Sequence, residues 1–199
     1  MLHIIGVAHH AQSRRLLATE ETESQQAFTR SLNQTIQDVH PAFVAEEDSE
    51  EALAERHAAS ITKRIADASR INHRFCDPNR AQRAALHYLD GQTIEVRMQM
   101  GDDEGLTDAE IHLKARAIEL ARYFPIRERF WLEHLDGCSD QNSIFVCGDA
   151  HIETFTGLLD RERIPYIIVE RGIGVAPEAR DDFARIVEYL GAHPELRNG

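Results

Sequence analysis

Cysteine is scarce in this chain. The three present, Cys76, Cys138 and Cys147, are odd in number and show no CxxC spacing. That argues against a disulfide framework and against a structural zinc knuckle, and it fits a reducing, cytoplasmic compartment. Cys76 and Cys147 fall inside strand-like runs, where a thiol behaves as a small buried hydrophobe rather than a nucleophile. Long hydrophobic runs are missing too. None approaches the roughly 18 apolar residues needed to span a bilayer. The N-terminus has no basic region followed by a signal-type apolar core, so a soluble, intracellular protein is expected. Positive charge is short: 22 Lys and Arg against 34 Asp and Glu, a formal net charge of −12. Phosphate backbones and anionic membranes call for a basic surface, so neither nucleic acid nor membrane is expected as a partner. A small-molecule or peptide substrate is compatible with this balance, and self-association into a homo-oligomer is left open.

The composition that is present, 42% hydrophobic and 28% charged over 199 residues, is that of one globular domain able to bury a core. No solenoid-length repeat and no low-complexity linker divides it. Apolar runs at Leu2–Val7, Ala42–Ala45, Ile144–Cys147 and Tyr166–Val169, with a weaker and more polar one at Ile71–Cys76, read as five strands. Between them lie helical patterns. Ser24–Asp38 carries Phe28, Leu32 and Ile36 at three- or four-residue spacing, and Ser13–Glu23 reads as a weaker helix. Ser49 starts another, with acids in its first turn. Thr107 caps a long one that Pro125 bends or splits, and Pro177 opens the last. Phe130, Trp131 and Leu135 read as core packing. Residues 90–106 alternate apolar and polar side chains through Ile94, Val96, Met98 and Met100, the pattern of an edge strand or hairpin arm. Their acidic GDDEG end suits a flexible lid or a surface loop. Strands alternating with helices predict one α/β domain over 1–199, with a mostly parallel sheet of about five strands flanked by helices.

Chemistry collects at the strand ends. Gly6-Val7-Ala8-His9 closes the first strand and Gly148-Asp149-Ala150-His151 closes the fourth, a repeated Gly-x-x-His. A glycine there lets the backbone turn sharply and leaves the following residues at the rim of the sheet. The first strand delivers His9 and His10, the second Glu46 and Glu47, the third Asp77, and the fourth Asp149 and His151. In a parallel sheet these converge on one edge, where ligands bind. Mixed imidazole and carboxylate donors suit Mn²⁺, Zn²⁺, Co²⁺ or Fe²⁺, with His9, His10, Asp149 and His151 as candidate ligands. Such a metal brings the pKa of a bound water down to about 7. Glu46, Glu47 or Asp77 then serves as general base. Arg80 or Arg83 orients a carboxylate or steadies an oxyanion. Strand parity does not choose between Glu46 and Glu47.

This skeleton resembles the TraB/GumN and TIKI metalloprotease superfamily, which includes erythromycin-esterase-like and ChaN-like proteins. The likeness is carried by Gly6-x-x-His9, a glutamate after the second strand and Gly148-x-x-His151. It implies metal-dependent hydrolysis of a peptide or ester bond. By that likeness His9 and His151 bind metal, Glu46 or Glu47 supplies the acid, and Arg80 matches the family's arginine. Several relatives are membrane-anchored or exported, whereas this chain shows no such segment. Two other readings use the same rim: a non-catalytic small-molecule or protein-binding sensor, and a metal-dependent phosphoesterase.

Overall fold

Five strands lie side by side in the order β5-β3-β6-β1-β7, every neighbouring pair parallel. They are β1 (Leu2–Val7), β3 (Phe43–Glu46), β5 (Asn72–Phe75), β6 (Ser143–Gly148) and β7 (Tyr166–Ile173). Two further strands, β2 (Ser13–Arg15) and β4 (Ala58–Ser60), form a separate antiparallel pair. The computed structural model describes residues 1–101 and 105–197. The expected α/β class with a mostly parallel, helix-flanked sheet is what the chain adopts, and each of the five expected strand runs is one of its strands.

Parallel strands buried on both faces are near-continuous in apolar residues, and β1 and β6 are buried almost throughout. Each face has its own core. On one, Ile5, Val7, Val44, Ile144 and Val146 meet Phe28, Leu32 and Ile36 of helix α2 (Glu23–Val39), and Ile61 and Ile65 of α4 (Ile61–Ala68). Helix α1 (His9–Gln12) and α3 (Glu50–Glu55) are the short ones before them. On the other face, Leu2, Ile4, Phe43, Ala45, Phe145 and Cys147 pack against Trp131 and Leu135, and against Phe155, Leu158 and Leu159. Trp131 is fully buried, its ring 5.5 Å from Phe145 and 5.8 Å from Phe155. Truncating such a residue to Ala costs about 3–5 kcal/mol. A Thr22–Gln25 capping box starts α2, and the left-handed His40 (φ 49°) ends it with an N–H to Ile36. A cap of this kind is worth about 1 kcal/mol.

The sequence reading put all 199 residues in one α/β domain. Contacts group the chain into two compact units, and the sheet lies wholly in the first. That unit is Met1–Arg80 with Glu128–Val175; the other is Ala81–Arg127 with Ala176–Gly199. The remaining helices are α5 (Arg80–Ala85), α6 (Gly91–Met100), α7 (Asp108–Ile118), α8 (Phe124–His134), α9 (Ile152–Glu162) and α10 (Pro177–Ala192). In the second unit His112 of α7 bridges Glu95 of α6 and Asp182 of α10, at 3.3 and 3.4 Å.

Two local expectations change. Residues 91–100 form a helix, not a hairpin arm. Asp90 caps it by accepting the Thr93 N–H at 2.7 Å, and Val96 and Met100 stay exposed, so the alternation marks no buried sheet face. Of the GDDEG segment expected as a lid tip or surface loop, 101–105, residues 102–104 lie outside the described residues. The stretch before α2, residues 13–22, is not helical. It carries β2, whose Ser13 carbonyl accepts from Gln25 Nε2 at 2.7 Å. The long helix is interrupted just before Pro125, by a π turn rather than by a break in the helical path. The chain takes a π-helical turn at Glu119–Tyr123, with the Phe124 N–H on the Glu119 carbonyl, and continues as α8. A π turn is one way a helix absorbs the proline's clash with the preceding turn.

Candidate functional site

The C-terminal ends of β1, β3 and β6, adjacent in the sheet, bring three of the expected side chains together. Glu47 follows β3 directly and is fully buried. Its Oε2 accepts the Gly148 N–H at 2.6 Å. Its Oε1 lies 3.5 Å from His151 Nε2 and 3.7 Å from His9 Nε2. Two histidines 142 positions apart in sequence thus approach one carboxylate oxygen from neighbouring strands. His151 is buried, whereas the His9 side chain is 58% exposed and carries the site out to solvent.

The far side of His151 is equally ordered. Its Nδ1 lies 2.9 Å from Glu128 Oε1 on α8, and the Thr154 hydroxyl donates to the same oxygen. The Trp131 ring meets the imidazole edge to face at 4.6 Å. With Nδ1–H donated to Glu128, Nε2 carries the lone pair. It then faces the Glu47 carboxylate oxygen across 3.5 Å, acceptor to acceptor. An electrophile between the two, a proton or a metal ion, stabilises such an arrangement.

Both Gly-x-x-His glycines are explained by close approach rather than by a turn, since neither has a positive φ. A Cβ on Gly148 would stand 2.9 Å from His9 Nε2 and 3.2 Å from Glu47 Oε2. A Cβ on Gly6 would stand 2.7 Å from Asp149 Oδ1 and 2.9 Å from Ile152 Cγ1. Each motif's glycine makes room for the other motif's side chains.

The other expected residues are elsewhere. Glu46, one position before Glu47, belongs to the opposite face of the strand. It is fully buried, with Oε1 accepting the Ser60 hydroxyl and lying 2.8 Å from His73 Nε2. Asp149 braces β7: its Oδ1 accepts the Gly172 N–H at 2.7 Å and lies 3.5 Å from Arg171 Nε. Asp77 is buried and accepts the Trp131 indole N–H at 3.0 Å. His10 is exposed, and its carbonyl accepts from Gln25 Nε2. Arg80 is exposed, with its backbone N–H on Glu51 Oε2 at 2.7 Å; Arg83 stacks over Tyr88 in the second unit. Asp48, next along from Glu47, is chelated by Arg56 at 2.6 and 2.8 Å. Burial nonetheless holds its carboxyl above the usual range, outweighing the guanidinium and the Ser49 N–H.

Sequence reasoning missed Glu128, Thr154 and the polar role of Trp131. Glu128 and Trp131 are three apart on one helix and so share a face. The sequence shows only an acid one turn from a tryptophan, and nothing in it marks that acid as buried. Among the described residues, no three His, Cys, Asp or Glu side chains are gathered tightly enough to hold a metal ion as they stand. No helix among them is long and apolar enough to cross a membrane. Compared with known proteins, the chain matches no family model, no curated protein and no solved structure.

Proposed function

We propose that the chain is a divalent-metal-dependent hydrolase of peptide, ester or related bonds, working at the rim built from His9, Glu47 and His151. The observation that carries this reading is the approach of both imidazole Nε2 atoms to Glu47 Oε1, at 3.5 and 3.7 Å. The donor chemistry fits Zn²⁺, Mn²⁺, Co²⁺ or Fe²⁺: two neutral imidazoles and one carboxylate. A carboxylate on the back nitrogen, as Glu128 is on His151, is the usual way a ligating histidine is oriented. The separations are wider than a closed ligand set, and the exposed His9 ring is the member able to move inward. When bound, the metal supplies a water acidic enough to give hydroxide near neutral pH.

The chain's own groups do the rest. Glu128 keeps the proton on His151 Nδ1 and so presents the Nε2 lone pair. The Gly148 N–H fixes Glu47 Oε2 and so presents Oε1. Trp131 walls one side of the imidazole and keeps water from it. The motif likeness to TraB/GumN and TIKI proteins supports the same reaction class and the same pair of histidines. Glu47, not Glu46, is then the acid, and Arg80, exposed on α5, is not assigned to the reaction.

The test is elemental analysis of untagged protein, followed by titration with Mn²⁺, Co²⁺ and Zn²⁺ and assay on peptides, esters and generic phosphoesters. About one metal per chain is expected, with binding lost in His151→Ala and Glu47→Gln. Full occupancy in the His9→Ala/His151→Ala double variant would overturn the reading. A metal-bound protein that cleaves only the phosphoesters would reassign the reaction.

A further inference from the structure

The two edges of the sheet are finished differently. At one edge β5 is four residues long and polar, Asn72, His73, Arg74 and Phe75. Its Arg74 lies over the Phe43 ring and donates to the Asp136 carbonyl. Short, charged edges of this kind discourage pairing with another chain. At the other edge β7 is eight residues long, and it leaves Ile167, Ile168 and Val169 exposed by 47, 39 and 40%. Three adjacent β-branched residues on an open edge are a template for one more strand.

The backbone there is laid out to receive it. The Leu2 N–H is on the Pro165 carbonyl, and Leu2, His3 and Ile4 stand opposite Tyr166, Ile167 and Ile168. In a parallel ladder alternate residues bond to the same neighbour. Pro165 and Ile167 therefore serve β1, and the N–H and C=O of Tyr166 and Ile168 face outward. Among the described residues no strand lies on that side. Beyond Ile168 the register against β1 shifts twice, and Arg171 is drawn to Glu153 and Asp149. The regular, open part of the edge is thus Tyr166–Ile168, with Val169 at its end.

Beside this edge, between β7 and α2, lies a groove of about 440 Å³. Val39, Ile167, Ile168 and Val169 give it apolar walls, and Asp38 and Glu170 give it charge. Among the described residues no Lys or Arg lines it. His3 is on its wall too, held below the usual histidine range by burial and, secondly, by the terminal ammonium, so it adds no positive charge near pH 7. An acidic groove along an open strand edge fits an extended segment with apolar side chains for the walls and cations for the two carboxylates. A second copy of the chain fits badly, since it brings two net charges of −12 together and offers Glu170 as the charge nearest the exposed apolar run. We propose that β7 takes up, as a sixth strand, an extended segment of a partner protein in which β-branched residues alternate with Lys or Arg. This surface does not involve His9, Glu47 or His151 and does not depend on the hydrolase reading.

Fluorescence anisotropy of the whole protein with a labelled hexapeptide of alternating Lys and Val tests this. Saturable binding is expected, and about tenfold weaker binding of the alternating Glu and Val peptide, because attractions to Asp38 and Glu170 become repulsions. Ile168→Pro removes one outward N–H and no bond to β1, so it should abolish binding while the circular dichroism of the fold is kept. Asp38→Lys, on the exposed side of α2, should remove the preference for the Lys peptide. Where Ile168→Pro does not fold, Asp38→Lys decides. Equal binding of the two peptides by the wild type, no binding of either, or a preference unchanged in Asp38→Lys would overturn the proposal. So would a dimer in sedimentation velocity that Ile168→Pro dissociates, since the edge would then belong to a second copy.

Discussion

Gly148→Ala separates the two things a buried glycine can do, and its outcome follows from three distances. The added methyl would stand 2.9 Å from His9 Nε2, 3.1 Å from His9 Cε1 and 3.2 Å from Glu47 Oε2. Gly148 sits at φ −59°, ψ 136°, which alanine adopts without strain. The tightest contacts are with the end of a side chain 58% exposed to solvent, so relief comes from swinging His9 outward. Removing glycine's freedom from the unfolded chain returns about 0.4–1 kcal/mol. The crowding of Glu47 is a small overpacking term, at the low end of about 1–3 kcal/mol. Stability should therefore fall by no more than about 2 kcal/mol, measured by urea unfolding. Metal affinity should suffer far more. Losing an outer partner of a ligand already costs about 10–100-fold, and displacing His9 itself should cost at least the upper figure. Calorimetric titration with Mn²⁺ or Zn²⁺ reads that directly. Adding His9→Ala to Gly148→Ala should then cost nothing more, since the ring is already out. Wild-type affinity in Gly148→Ala, or full additivity of the pair, would refute His9 as a member of the site.

The matching change at Gly6 should behave in the opposite way. A Cβ there meets Asp149 and Ile152, both held in place, so Gly6→Ala is expected to destabilise by about 1–3 kcal/mol, with affinity per folded molecule retained; urea unfolding beside the same titration checks both. All three thiols should resist alkylation near pH 8 until urea is added, because burial raises Cys138 and pushes Cys76 up to about 12; rapid labelling of native protein would contradict this. Asp48 is shifted upward from 3.8, so its contribution favours the folded state at acid pH and is lost as pH rises through the folded value. Asp48→Asn should therefore compare progressively better with wild type between pH 4 and pH 7 in urea unfolding, and a flat or opposite trend would count against the assignment.

The sheet was legible because its signal is redundant. Apart from the polar β5, each strand is a short apolar run with a glycine or acid at or near its end, and a misplaced end does not move the run. The rim was legible for the same reason: parallel strands deliver their C-terminal residues to one edge whatever the loops do. What stayed hidden depends on a single step of parity or on a residue far along the chain. Glu46 and Glu47 are neighbours with the same chemistry. Only the end of β3 at Glu46, and the Gly148 amide waiting for Glu47, send one to His73 and the other to His151. Glu128 lay in a helix with no marked apolar stripe, and nothing local ties it to a histidine 23 positions later. The helix at 91–100 was missed because four alternating apolar residues imitate a strand, whereas the cap at Asp90 decides the local structure.

That pattern of success and failure bears on how the rim came to be specified. The two Gly-x-x-His segments look like independent turns, each with a glycine for its own bend. In three dimensions each glycine is small for the sake of the other segment. Gly6 clears Asp149 and Ile152, and Gly148 clears His9 and Glu47. The β1–β6 pairing holds the two in register, with Gly6 opposite Cys147 and Val7 opposite Gly148. A one-residue slip would set side chains against the backbone at both glycines and turn both strands' core residues the wrong way. The packing that fixes the register is therefore the same packing that brings the two imidazoles to one carboxylate oxygen. A slip of the β1–β6 register should lose the site and the sheet together, whereas single side-chain changes that leave the register intact can separate the two.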